Sequence, residues 1–254
     1  MPDETHPEPY IAFRDVSKAF GDNVVLDHVS FDVLPAETVC ILGRSGVGKS
    51  VSLHHIMGFL KPDSGRVIVA GEDITDYTEE QLELIRKKVT MVFQNGALFD
   101  SLTVGENILF SLELREDYDE KNKEDVVDGL LSMVDLLEFK DAYPTDLSTG
   151  HKRAVAIARA LAAQPECILY DEPTTMVDPI MSSTLTGLML KLKNQLRLTA
   201  VVVTHDLELM RNVADRVVVL FEGKAIYFGS VADLDKSDHP HIREFLAMDR
   251  MELV

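Results

Sequence analysis

Basic residues are scarce in this 254-residue chain: 25 lysines and arginines stand against 43 aspartates and glutamates, a formal net charge of −18. So few cations leave no footprint for a phosphate backbone, which argues against nucleic acid as a partner. Direct adsorption to an anionic lipid surface is disfavoured for the same reason. The acidity reads as solubility. It does not oppose nucleotide binding, because a few local donors outweigh a distant, screened field. Long apolar runs are also missing: none approaches the roughly 18–20 residues that span a bilayer. The acidic, proline-rich start (Met1 to Pro7) has neither the basic flank nor the apolar stretch of a secretory signal. Cysteine is limited to Cys40 and Cys167, both in apolar strand-like runs, which suits a reduced, cytosolic chain. No internal repeat or low-complexity tract is present.

What is there is an alternation of strand and helix patterns, the mark of an α/β domain with a largely parallel sheet. Tyr10–Val16, Val24–Val33, Thr38–Leu42, Arg66–Ala70 and Val89–Phe93 read as strands. A helix is expected from Lys49 to Met57, ended by Gly58 and the turn chemistry of Lys61-Pro62-Asp63-Ser64-Gly65, and another near Thr78–Arg86. From about 95 to 163 helical periodicity takes over, with Val126, Val127, Leu130, Leu131 and Val134 on one face. Strands then return at Cys167–Tyr170, Ala200–Val203, Val217–Phe221 and Ala225–Phe228.

Gly43-Arg44-Ser45-Gly46-Val47-Gly48-Lys49-Ser50 fits G-x-x-x-x-G-K-[ST] between a strand and a helix. Glycines let backbone N–H groups approach phosphates, and the helix N-terminus adds a favourable dipole. Lys49 is expected at the β- and γ-phosphates, and the Ser50 hydroxyl at Mg²⁺. This pattern alone specifies a nucleotide triphosphatase. Cys167-Ile168-Leu169-Tyr170-Asp171-Glu172 is an apolar strand ending in two carboxylates. Asp171 is expected to act on Mg²⁺, directly or through water, and Glu172 to polarise the water attacking the γ-phosphate.

Leu147-Ser148-Thr149-Gly150-His151, with the small-apolar helix that follows, resembles the signature motif of ABC (ATP-binding cassette) ATPases. Further family motifs follow in the family's order. Phe20 resembles the aromatic that stacks on adenine, although it could also be plain core. Gln94 resembles the Q-loop glutamine, Asp178 the D-loop aspartate and His205 the switch histidine. The resemblance covers about residues 10–230. It implies a P-loop core of mostly parallel sheet with an antiparallel β portion and a helical insertion, and it implies ATP and Mg²⁺ as ligands, Gln94 included at the metal. It also implies a head-to-tail homodimer, each ATP lying between the P-loop of one chain and Ser148, Thr149, Gly150 and His151 of the other. The family usually has glycine where Thr149 stands, glutamine where His151 stands and arginine where Ala154 stands. Thr149 is sterically tolerable at a negative φ. Two readings stay open there, a fully active site with Thr149 facing away or a weakened one.

The run from Phe93 to Val104, with Asp178-Pro179-Ile180 and His241 to Leu246, is similar to the Mla/Mce-type ATPases of bacterial phospholipid trafficking. That resemblance implies integral-membrane permease subunits docked in a groove near Gln94, Phe99 and Leu102, and a place on the inner face of the cytoplasmic membrane. The alternatives are an importer ATPase for another solute, such as an amino acid or a metal ion, and a soluble ABC ATPase such as one for cluster assembly. The domains expected are a flexible acidic tail (1–9), the cassette (10–236, with its helical part at about 95–163) and a short helical extension (237–254). The extension's apolar stripe of Ile242, Phe245 and Leu246 could dock on its own domain or on a partner protomer. No metal beyond Mg²⁺ is expected at His54-His55 or at His239 and His241.

Overall fold

The computed structural model describes residues 8–115 and 119–251. Most of the tail expected at 1–9 and the last residues of the extension therefore lie outside the described residues. The first layer is an antiparallel sheet of β1 (Ile11–Phe20), β2 (Asn23–Val33), β4 (Ser64–Val69) and β5 (Glu72–Asp73), in the order β2-β1-β4-β5. The second is a six-stranded sheet built on β3 (Thr38–Leu42), β6 (Val89–Val92), β7 (Cys167–Asp171), β8 (Thr199–Thr204), β9 (Arg216–Phe221) and β10 (Lys224–Ser230). Its order is β10-β9-β3-β8-β7-β6, parallel except for the β9–β10 hairpin. Fully buried runs such as Thr38–Leu42 suit a parallel sheet covered on both faces.

The helices follow from their own signals. α1 (Lys49–Ile56) leaves the loop after β3. α2 (Glu79–Lys88) and α3 (Val104–Glu113) each start at a reciprocal capping box, Thr78 with Gln81 and Thr103 with Glu106. α4 (Lys123–Met133) and α5 (Thr149–Ala162) complete a helical block with α3. Val127 and Leu131 of α4 are buried, whereas Val126 is 37% exposed and lies at the margin of the expected apolar face. Beyond β7 come α6 (Pro179–Leu196), α7 (Leu207–Val213), the single turn α8 (Val231–Leu234) and α9 (Pro240–Met251).

Two cores result. Phe13, Phe31, Ile41, Leu53 and Val203 fill the space around α1 and between the two sheets. Ile108, Leu131, Ile157, Ile168 and Leu185 belong to the other core, which runs from the sheet's opposite face into the helical block. Cys40 and Cys167 are buried and free, and their strands β3 and β7 are separated by β8. Helix α9 lies on its own domain: Ile242 is fully buried, and Phe245 and Leu246 pack beside it on the second core.

Gly65 of β4 lies directly against the backbone of the antiparallel strand β1. It has φ +84°, and a Cβ there would sit 2.2 Å from the carbonyl oxygen of Asp15. Both facts forbid a side chain. Gly65→Ala is expected to lower stability by about 2 kcal/mol or more, read as a fall in the urea midpoint without a change in slope.

Candidate functional site

Three parallel strands bring the chemistry to one edge. Ile41 of β3, Val203 of β8 and Asp171 of β7 stand in register, so the segments beginning at Gly43, Thr204 and Glu172 leave the sheet side by side. Ligands of open α/β sheets bind at this carboxyl edge. A cavity of about 420 Å³ opens there, lined by Phe20, Val25, Ser45, Gly46, Gly48, Lys49, Ser50, Val51, Gln94, Glu172, Thr175 and His205.

Lys49 is 6% exposed and caught between three acceptors. Its Nζ donates to the carbonyls of Gly43 (2.7 Å) and Arg44 (3.2 Å) and lies 3.1 Å from Glu172 Oε1. The P-loop's shape depends on Gly48, with φ +103°, where a Cβ would come 2.7 Å from the Val25 carbonyl oxygen. Ser50 Oγ donates to Asp171 Oδ1 at 2.9 Å. These are hard oxygen donors at the head of the phosphate-binding loop, with the Gln94 amide on the same cavity, and such a set suits Mg²⁺. Burial pushes the Asp171 carboxyl up, and the Ser50 hydrogen bond opposes that rise.

Glu172 sits at φ +47°, unusual for a residue with a side chain, at the first position past β7. Its amide still donates to the Val203 carbonyl (2.9 Å), which fixes the turn. Burial alone would raise its carboxyl. The hydrogen bond from His205 and the nearby Lys49 charge outweigh burial and hold it below the usual range. His205 Nδ1 is 2.8 Å from Glu172 Oε2, a contact that raises the imidazole above its ordinary value. Thr175 Oγ1 donates to the same oxygen at 3.0 Å.

Of the expected site residues, Gly43, Arg44 and Val47 belong to the loop but do not line the cavity, and Asp171 enters it through Ser50. Phe20 is 48% exposed on the cavity wall, which removes the core reading of that ring. Ser148, Thr149, Gly150, His151 and Asp178 are not brought to this cavity at all. Ser148 and Asp178 instead cap helices, accepting from the amides of His151 (3.2 Å) and Met181 (3.0 Å). Thr149 opens α5, is exposed and has no positive φ. Gly150 packs against Met181, where a Cβ would come 2.6 Å from its Cε and 2.9 Å from its Cβ. Near Gln94, Phe99 is 43% exposed and rests edge-on against Phe110, with Leu102 half-buried beside it.

Sequence reasoning missed Thr175 and Asn107. Asn107 is fully buried, and its amide bonds the backbone of Phe99, Leu102 and Thr103, so it shapes the loop before α3. No spacing rule identifies an asparagine that acts on a loop several residues upstream. Thr175 stands close enough to the carboxylate pair that the strand-to-turn pattern after Glu172 could have suggested it.

A family model described as ABC transporter matches residues 26–175. The chain belongs to the ABC transporter family. The probable sulfate/thiosulfate import ATP-binding protein of Chlorella vulgaris is 40% identical over 230 residues, covering 91% of this chain and 94% of that protein. The methionine import ATP-binding protein of Corynebacterium efficiens is 37% identical over 234 residues, covering 90% of this chain but 65% of that protein. Among solved structures, the dimeric cassette MJ0796 in a post-hydrolysis state bound to ADP and Pi superposes with TM-score 0.79 at 31% identity, covering 87% of this chain and 98% of that one. The cassette cbiO1 of Clostridium perfringens, part of an ABC transporter complex, gives TM-score 0.82 at 28% identity, covering 95% of this chain and all of that one. The α/β fold with its antiparallel portion and helical block is that of an ABC cassette, and the chain is an ATP-binding ATPase.

The His205–Glu172 contact fixes a pH dependence. The raised imidazole value makes its contribution full below the ordinary 6.5 and lost as pH climbs through the raised value. The lowered carboxyl value makes the Glu172 contribution full above its ordinary 4.5 and lost as pH falls through the lowered value. Both contributions are therefore full between the ordinary values of 4.5 and 6.5 and fade outside that window toward the shifted values. An NMR titration of the nucleotide-free protein should show His205 protonated above pH 6.5, and Glu172→Gln should bring its midpoint down. An unmoved midpoint would rule out Glu172 as the cause.

Proposed function

We propose that this chain is the ATP-hydrolysing subunit of a membrane importer, powering permease subunits by ATP-driven closure of two cassettes. The observation that carries the reading is the split site. Lys49, Ser50, Asp171, Glu172 and His205 converge on one cavity, while Ser148 to Gly150 lie elsewhere on the same chain. A head-to-tail pair would supply the missing part, and the dimeric state of the relative bound to ADP and Pi supports pairing of two cassettes.

In this reading Phe20 stacks on adenine, and the P-loop from Gly43 to Ser50 holds the phosphates. Lys49 exchanges its P-loop carbonyls and Glu172 for phosphate oxygens. Ser50, Asp171 and Gln94 would hold Mg²⁺, which neutralises charge developing on the phosphates. Once Lys49 turns away, Glu172 is free to accept a hydrogen bond from the attacking water, with Thr175 and His205 fixing its second oxygen. His205 also senses the γ-phosphate. Asp178 and the segment Ser148, Thr149, Gly150 and His151 act on the partner's site, and loss of the γ-phosphate lets the pair open.

The two relatives compared by sequence are described as a probable sulfate/thiosulfate import protein and a methionine import protein. They favour a small solute, the amino acid importer included, over the lipid cargo implied by the Mla/Mce resemblance. The lipid reading rests on the Phe93–Val104 run, Asp178-Pro179-Ile180 and the His241–Leu246 segment. The permease would dock near Gln94, Phe99 and Leu102. Among the described residues no helix is long and apolar enough to cross a membrane, so membrane association would come through that contact. Solutes and lipids identified in the co-purified permease complex decide the cargo: bound phospholipid with no solute-stimulated turnover would favour the lipid reading.

Glu172→Gln is expected to slow turnover by orders of magnitude while ATP binding persists, and near-normal hydrolysis would remove Glu172 from its role. Thr149, exposed at the first turn of α5, is expected to leave the site active. Kinetics of Thr149→Gly should then change kcat by less than about threefold, and a large gain would show that Thr149 restrains the site.

A further inference from the structure

Helix α5 carries two arginines whose acceptors are all backbone carbonyls. Arg153, only 4% exposed, donates to Phe93 O at 3.0 Å and to Thr175 O at 3.4 Å. Its Nε is buried with no partner. Arg159 donates to Ala97 O at 2.7 Å and Gly96 O at 3.0 Å. Burial draws both guanidinium groups down from their usual range, and for Arg153 the charge of Asp171 offsets part of this. A buried guanidinium satisfied by carbonyls rather than a carboxylate is a poor way to stabilise a fold. What the planar fork does well is fix geometry.

The carbonyls it fixes are those that frame the site. Phe93 immediately precedes Gln94, and Thr175 follows the Glu172 turn and itself donates to Glu172. Gly96 and Ala97 close the Gln94 loop, and both have positive φ, +77° and +47°. For Ala97 that conformation is strained. Gly96 also lies against α5, where a Cβ would come 3.3 Å from the Lys152 carbonyl oxygen. One helix therefore grips the Gln94 loop at both ends, and that helix begins at Thr149 of the signature segment. Arg159 further lies 6.0 Å from the Phe99 ring centre, reaching toward the expected permease face.

We propose that Arg153 and Arg159 are positioning residues that tie the Gln94 loop and the signature end of α5 to the Glu172 turn. Nucleotide at one chain's cavity then sets the placement of the Ser148–Gly150 segment that the same chain offers to its partner. This rests on the roles given above to Gln94 and to the signature segment.

The test uses the full chain with Arg153→Met and Arg159→Met, which keep an apolar stem and lose the donors. Arg→Lys at each position keeps charge but loses the fork, and serves if a methionine variant does not fold. Amide hydrogen exchange in the nucleotide-free protein should speed up at residues 94–97 in the Arg159 variants. Turnover, normalised to the folded, ATP-binding fraction of each variant, should fall on the order of tenfold with the KM for ATP within about twofold. Adding Arg159→Met to Gln94→Ala should slow turnover little beyond Gln94→Ala alone, the coupling expected of residues acting as a unit. Unchanged exchange, or losses that simply multiply, would overturn the clamp. If Gln94→Ala leaves turnover intact, the role of Gln94 fails, and the exchange measurement still decides whether the arginines hold the loop.

Discussion

The register of three parallel strands governs the rest of the molecule. Because Ile41, Val203 and Asp171 are aligned across β3, β8 and β7, the phosphate loop, the carboxylate pair and His205 leave the sheet at one level. A slip of one residue in any of these pairings would turn its strand's side chains to the other face. The fully buried β3, apolar from Val39 to Leu42, and the valine run of β8 hold the pairing in place through burial on both faces. The sheet thus acts as a template whose edge carries the chemistry and whose faces carry the stability.

At that edge the charges are mutually dependent. Lys49 sits among two carbonyls and Glu172, Glu172 is shared with His205 and Thr175, and Asp171 is satisfied by Ser50. Each group is only partly neutralised by its neighbours, and Lys49 and Glu172 are largely shielded from water while His205 is about half exposed. In the proposed reading a phosphate oxygen replaces Glu172 as the partner of Lys49. The left-handed backbone at Glu172 places that carboxylate toward the cavity instead of along the strand, a local strain consistent with function.

Much of this was legible in the residues. The strand–loop–helix setting of Gly43 to Ser50 and the apolar strand ending in Asp171-Glu172 have fixed spacings imposed by chemistry, so pattern reading found both. Less legible were features set by tertiary approach. The extent of β1 to Phe20, the two-residue strand β5 and the single turn α8 lack a periodic signal of their own. Asn107, Arg153 and Arg159 act through backbone groups distant in sequence or defined only by the folded loop, and Thr175 through a hydroxyl bond to the Glu172 carboxylate that the folded turn creates. The C-terminal helix had a clear apolar stripe, but a stripe states that a helix is buried and not against what. Here it lies on its own domain, with Glu244 paired to Arg44 of the phosphate loop at 2.8 Å. Thr149 shows the same limit from another side: sequence required a negative φ, and the helix start supplies it.

The central claim is that one chain holds only part of each catalytic site. It is tested most directly by mixing two inactive variants, Lys49→Ala, which loses the phosphate-binding cation, and Ser148→Arg, which blocks the signature segment. In a head-to-tail pair one of the two composite sites then contains only intact parts. Each variant alone is expected to be silent, and the mixture is expected to recover ATP turnover that depends on both proteins. A mixture as silent as its components, under conditions where the native chain hydrolyses ATP, would contradict the account.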